Sequence, residues 1–317
     1  MSNNSLRAPA KTAVEQCMGL RPDESCAVVT DDERLPIGEA IYEVASEVTD
    51  DSVLCRYQPG SQHGEEPPAP VAASMEAADV VLAPTSKSVT HTRARSEACA
   101  AGARVATLPG ITEEVFVTGL DADYEEIERE CERMLAKVGD ADEIRVTSPQ
   151  GTDITFEPGD REWRLDTGIV HEAGSMSNLP AGEVFVSPET ATGTVVVDGT
   201  MMPHGKLEDR VVEFEVEDGM VTHIADDGLR AEVEAAAEEA GDAAYNLAEL
   251  GIGTNVAVTE LVGSVLLDEK AAGTVHIAIG DDHAIGGDTD APIHQDGILT
   301  EPTVFVDGEE IELPRGV

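Results

Sequence analysis

The run DVVLAPTSKSVTHTRARSEACAAGARVATL, Asp79 to Leu108, decides the fold class. Asp79-Val-Val-Leu-Ala83 is a short apolar segment of strand length, and Pro84-Thr-Ser-Lys-Ser88 is a polar loop. Thr90–Ala101 has the composition of a helix, and Arg104-Val-Ala-Thr-Leu108 is a second apolar segment closed by Pro109-Gly110. Strand, loop, helix and strand over that length make a parallel βαβ unit, because parallel neighbours need a crossover and a helix supplies it. The pattern recurs upstream. Cys26-Ala-Val-Val-Thr30 is apolar and ends at Asp31-Asp32, and Leu35–Val48 spaces Ile37, Ala40, Ile41 and Val44 at helical intervals. Downstream, Tyr124–Val138 sets Ile127, Cys131, Met134 and Leu135 on one helical stripe.

After about residue 140 the texture changes. Short strands dominate, at Glu143–Thr147, Asp153–Glu157, Glu183–Ser187, Gly193–Val197, Val211–Val216 and Met220–Ile224, separated by turns such as Val197-Asp-Gly199 and Glu217-Asp-Gly219. One Ala/Glu-rich helix, Gly228–Ala240, interrupts them. A chain of 317 residues suits two domains of about 150 residues each. The expectation is an α/β domain with a mainly parallel sheet over 1–140, then a β-rich α+β domain over 141–317 that carries the chemistry.

Composition bounds the function. With 64 Asp+Glu against 20 Lys+Arg the formal charge is −44. Such a surface repels phosphate backbones and anionic headgroups, which argues against nucleic-acid and membrane-surface partners and for a peptide or small-molecule substrate. Five Lys, fifteen Arg, one Trp and five Phe beside this many carboxylates suit a chain folding in concentrated salt, as in a halophile's cytoplasm. The five cysteines, Cys17, Cys26, Cys55, Cys99 and Cys131, form no CxxC and suggest no disulfide framework. The first residues carry no apolar signal core, and no run approaches the roughly 18 apolar residues of a membrane helix. A cytoplasmic protein is expected.

The chemistry concentrates near the C-terminus. In Gly273-Thr-Val-His276-Ile-Ala-Ile-Gly280, Val275, Ile277 and Ile279 point one way and His276 and Ala278 the other. Pro292-Ile-His294-Gln-Asp296 puts a histidine and a carboxylate on one face of an extended chain, a nitrogen and oxygen pair suited to Zn²⁺, Mn²⁺, Co²⁺ or Fe²⁺. Most acids in so acidic a chain are solvated surface. Glu183, after the Gly182 turn in Asn178-Leu-Pro-Ala-Gly-Glu-Val-Phe185, and Glu249, in Asn246-Leu-Ala-Glu-Leu-Gly-Ile-Gly253, differ because their neighbours are apolar or Gly. A carboxylate in those surroundings needs a partner, and a metal ion is one.

The blocks NLPAGEVF, ELGIGTN, DEKAAGTVHIAIG and the closing HxD, in that order over residues 178–297, resemble the thermophilic aminopeptidase (aminopeptidase T) family of metallopeptidases. The resemblance implies two divalent ions, Zn, Co or Mn, held by Glu183, Glu249, His276, His294 and Asp296. It also implies removal of N-terminal residues from peptides, and a homodimer. Where that family carries a Tyr near the substrate, seven residues after the His of the GTxHxA block, this chain has His283. A histidine there can donate to an oxyanion, or the change marks a different reaction.

The same scaffold resembles the 2,5-dihydroxypyridine ring-cleaving dioxygenases. That likeness implies one Fe(II) held by His276, His294 and Asp296, with open positions for O₂ and a diol. The candidate base outside that triad is His91, at the start of a helix beyond the carboxyl end of a strand, where open α/β sheets place ligands. A third reading is a metal held for structure alone.

Overall fold

The computed structural model describes residues 3–315. It separates into two units, residues 1–128 with 166–181 and residues 129–165 with 182–317. In the first, five strands form a parallel sheet in the order Ser52–Tyr57, Cys26–Asp31, Val80–Thr85, Arg104–Pro109 and Met176–Asn178. Cys26–Asp31 and Val80–Thr85 are buried along their whole length, hence their continuous rather than alternating apolar character. The helix Leu35–Val48 buries Ile37, Ala40, Ile41 and Val44, the stripe read from the sequence.

One boundary moves. The crossover helix expected from Thr90 spans Arg93–Ala101, because Thr92 is its N-cap: Thr92 Oγ1 accepts from the Arg95 amide at 3.2 Å. His91 therefore lies in the turn ahead of the helix, exposed to solvent. Gly102, at φ +106°, ends the helix in the left-handed conformation that glycine adopts freely.

The second unit holds two sheets whose named strand pairs are antiparallel. One has the order Met220–Ile224, Val212–Glu217, Thr190–Val197, Asp153–Glu157, Ile144–Thr147, Thr303–Val306 and Glu309–Glu310. Val212–Glu217 alternates buried and exposed residues strictly, as a strand with one face on the core must. The Ala/Glu helix forms over Asp227–Ala240, capped by Asp226, whose carboxylate accepts from the Leu229 amide at 2.9 Å. The other sheet carries the chemistry. The architecture is the α/β then β-rich α+β arrangement expected from the sequence. Among the described residues no helix is long and apolar enough to cross a membrane.

Candidate metal centre

Four neighbouring strands of the second sheet, Glu183–Val186, Leu247–Gly253, Val275–Gly280 and His294–Leu299, pair antiparallel in that order. Residues directly opposite across such a pair share a face, and successive residues alternate faces. Glu183 pairs with Gly253, His276 with Gly251, Ala278 with both Glu249 and Asp296, and His294 with Gly280. One face therefore carries Glu183, Glu249, His276, His294 and Asp296, and the positions between them are glycine or alanine. The other face presents Val184, Leu250, Ile252, Ile277, Ile279 and Leu299, all buried. Hydrophobic burial on one side thus fixes which side chains converge on the other.

Two local features make room for the donors. A Cβ built on Gly251 would lie 1.9 Å from His276 Nε2, so only glycine leaves space for the ring. The pairing also shifts between Leu247 and Glu249: Leu247 faces Ile279, yet Glu249 faces Ala278. The extra residue, Ala248, is a bulge that turns the strand over, sending Leu247 into the core and Glu249 into the site.

The donor atoms form two groups, each with all atoms within 4.8 Å of one another: Glu183, Glu249 and His276, and Glu249, His294 and Asp296. Glu249 belongs to both. Its Oε1 lies 3.2 Å from His276 Nε2 and its Oε2 lies 3.3 Å from His294 Nε2. His276 Nε2 is also 3.3 Å from Glu183 Oε2, and His294 Nε2 is 3.5 Å from Asp296 Oδ1. His294 Nδ1 lies 2.6 Å from the Asp281 carbonyl. A carbonyl only accepts, so Nδ1 carries a hydrogen, and Nε2 is the nitrogen turned toward the carboxylates, where it can exchange a proton for a cation. Glu183, Glu249, His276 and Asp296 are buried, and His294 is the exposed member.

Burial pushes the Glu183 carboxyl up to about 8, against the pull of Lys270 and His276. Burial also opposes charge on Glu249, but hydrogen bonds with His276 and His294 hold it well below the usual carboxylate range. For His276, burial disfavours the cation, while the hydrogen bond with Glu249 and the charges of Glu183, Glu249 and Asp296 carry it to about 9. His294 is likewise raised well above its ordinary value, by Asp296 and Glu249 in opposition to desolvation. Protons thus sit on imidazole nitrogens that a cation would otherwise claim.

The donor set fits divalent metal. Glu183 Oε2 is buried without a hydrogen-bond partner among the described residues, and two imidazoles and three carboxylates are the nitrogen and oxygen ligands that Zn²⁺, Mn²⁺, Co²⁺ and Fe²⁺ accept. All five residues named from the sequence meet here. Sequence reasoning missed Lys270, buried between Glu269, at 2.8 Å, and Glu183, with which it forms a close ion pair. The available signal was a rare lysine immediately following two acids, in Asp268-Glu-Lys270.

His283 and His91 belong to neither donor group. His283 is exposed and opens a one-turn helix, His283–Ile285. Its loop is braced by buried Asp282, which accepts from Ser187 Oγ at 2.9 Å and the Thr289 amide at 2.6 Å. Arg161 and Arg164 donate to the Gly286 and Ala284 carbonyls of the same loop. His91 is in the first unit. So is His171, whose Nε2 lies 2.8 Å from the Gln16 carbonyl.

The model of the NicX family, 2,5-dihydroxypyridine 5,6-dioxygenase, matches residues 35–313. The chain belongs to that family. Among solved structures, 2,5-dihydroxypyridine dioxygenase of Pseudomonas putida KT2440 superposes with a TM-score of 0.82 at 19% identity, covering 100% of this chain and 98% of that one. AmpT of Thermus thermophilus superposes with a TM-score of 0.71 at 17% identity, covering 98% of each chain. At those identities the two structures show the fold. Both scaffolds to which the sequence was likened are thus represented, and the family is one of enzymes. No curated protein matches the chain in sequence.

Proposed function

We propose that this chain is a divalent-metal hydrolase that removes N-terminal residues from peptides. The observation behind this reading is Glu249, which offers one oxygen to the His276 side and the other to the His294 side. The two histidines fall in different donor groups, each completed by a further carboxylate, Glu183 or Asp296. A single ion needs its ligands within reach of one point. Two groups that share one carboxylate would suit two ions.

Glu183, Glu249 and His276 would hold one cation, and Glu249, His294 and Asp296 the other. Bound there, the cations supply Lewis acidity toward a carbonyl and toward water near neutral pH. The chain's own contributions are positional. The Asp281 carbonyl keeps His294 in the tautomer that points Nε2 into the site, and the apolar face behind the sheet fixes the spacing of the strands. His283, on its braced loop, is the candidate donor to a developing oxyanion.

The second reading is a mononuclear Fe(II) dioxygenase with His276, His294 and Asp296 as its triad. It is favoured by the family match over residues 35–313. Loading the metal-free protein with Mn²⁺, Co²⁺, Zn²⁺ or anaerobic Fe²⁺, then counting ions per chain, separates the two. The loaded samples are assayed for amine release from aminoacyl p-nitroanilides and for O₂ uptake with 2,5-dihydroxypyridine. Two ions with amine release are expected. One iron with O₂ uptake overturns the hydrolase in favour of the oxygenase, and neither activity leaves a structural metal.

A further inference from the structure

We propose that Lys270 makes the two donor groups unequal, so that divalent cations load in order: the Glu249–His294–Asp296 group first, and the Glu183–Glu249–His276 group second and more weakly. The proposal rests on the two-ion reading above.

Lys270 and Glu183 are almost wholly enclosed, with side chains 5% and 7% exposed, and Lys270 Nζ donates to Glu183 Oε1. One oxygen of that carboxylate is therefore committed to an ammonium. The other, Oε2, lies beside His276 Nε2 and has no hydrogen bond among the described residues. A cation entering this group meets one free oxygen of Glu183 and, behind it, an ammonium that Glu183 shares with Glu269 at 2.8 Å, in surroundings where charge is poorly screened. The second group lacks such a charge: among the described residues, Glu249 and Asp296 form ion pairs with His276 and His294 only. Access points the same way, since the His294 side chain is 32% exposed and that of His276 is 1%. The lysine has its own reason to be there. Without metal it gives buried Glu183 a partner, which an isolated interior carboxylate requires.

The test titrates metal-free, full-length protein with Mn²⁺ alone, reading free ion by its electron paramagnetic resonance signal. The parent should show a tight and a weak class. In Lys270→Met and Lys270→Gln, which remove the charge, the weak class should tighten roughly tenfold or more while the tight class stays put. Asp296→Asn should abolish the tight class, and Glu183→Gln should spare it. Two classes untouched by folded lysine variants overturn the loading order and leave the two-ion reading standing. A single class in the parent and in every variant overturns both. Should neither lysine variant fold, the carboxylate variants decide: loss of the tight class in Glu183→Gln, or its survival in Asp296→Asn, overturns the order.

Discussion

Gly251 stands directly opposite His276 across two antiparallel strands, and the imidazole occupies the space that a side chain at 251 would need. Gly251→Ala should therefore push the His276 ring off the Glu183–Glu249 axis. Overpacking of this kind costs about 1–3 kcal/mol, so a lower melting temperature should accompany reduced metal retention after dialysis. An alanine variant with parental metal content would show that the ring has another place to go.

Glu249 serves both donor groups and Asp296 only one. Glu249→Gln should weaken both metal sites, whereas Asp296→Asn should weaken one. Outer partners of metal ligands already cost roughly 10–100-fold in affinity or activity, so turnover should fall at least that far in either variant. Ion counts by mass spectrometry of dialysed protein distinguish the two patterns.

The proton load of the empty site sets a pH dependence. The pKa of His276 is carried from about 6.5 when unfolded to about 9 in the metal-free fold, so its contribution is fully present below pH 6.5 and is lost as pH rises through about 9. Glu183, raised to about 8, acts in the same direction. The melting temperature of the metal-free protein should fall between pH 6.5 and 9, while metal affinity, which requires these protons to leave, should rise over that interval. Calorimetric titration in buffers of different ionisation enthalpy should register proton release. A metal affinity that is flat across the interval would contradict the assignment.

His283→Ala should leave metal content and fold intact and lower turnover by one to three decades, about 1.4–4 kcal/mol of transition-state stabilisation, as for loss of one oxyanion donor. Steady-state kinetics of the alanine and tyrosine variants on the active substrate decide it. Unchanged kcat/KM in both makes His283 ordinary surface.

A formal charge of −44 should make stability depend on salt. The screening length shrinks from about 10 Å at 0.1 M to about 3 Å at 1 M, so like charges on this surface repel far less at the higher concentration. Thermal unfolding followed at both concentrations should show a clear rise in melting temperature at 1 M.

Periodicity made much of this structure legible. Leu35–Val48, Tyr124–Val138, Asp153–Glu157 and Met220–Ile224 form with the limits their patterns give. The elements missed are those whose burial does not imprint a period. Ser52–Tyr57 lies at a sheet edge and is only partly buried, and Ala69–Ala77 is too alanine-rich to show a stripe. Glu113–Leu120, EEVFVTGL, contains the β-branched residues of a strand and is held as a helix by its Thr112 cap. Met176–Asn178 joins the parallel sheet beside Arg104–Pro109 through three paired residues, too few to announce a partner so distant in sequence. In the site, alternation along the His276 strand revealed the face. The bulge at Ala248 and the glycine opposite His276 could be recognised only once the strands were paired.

The donor face also guards the sheet during folding. Every donor lies at the same parity as its neighbours across four strands, and the intervening parity turns Val184, Leu250, Ile252, Ile277, Ile279 and Leu299 into the core. If one strand slid past the next by a single residue, its carboxylate or imidazole would be driven into the packed hydrocarbon behind the sheet and its valine or isoleucine turned out among charges. Removing charge from water with no partner is among the costliest errors a chain can make. Misaligned pairings are thereby disfavoured before any metal arrives, and the residues that do the chemistry also enforce the alignment that brings them together.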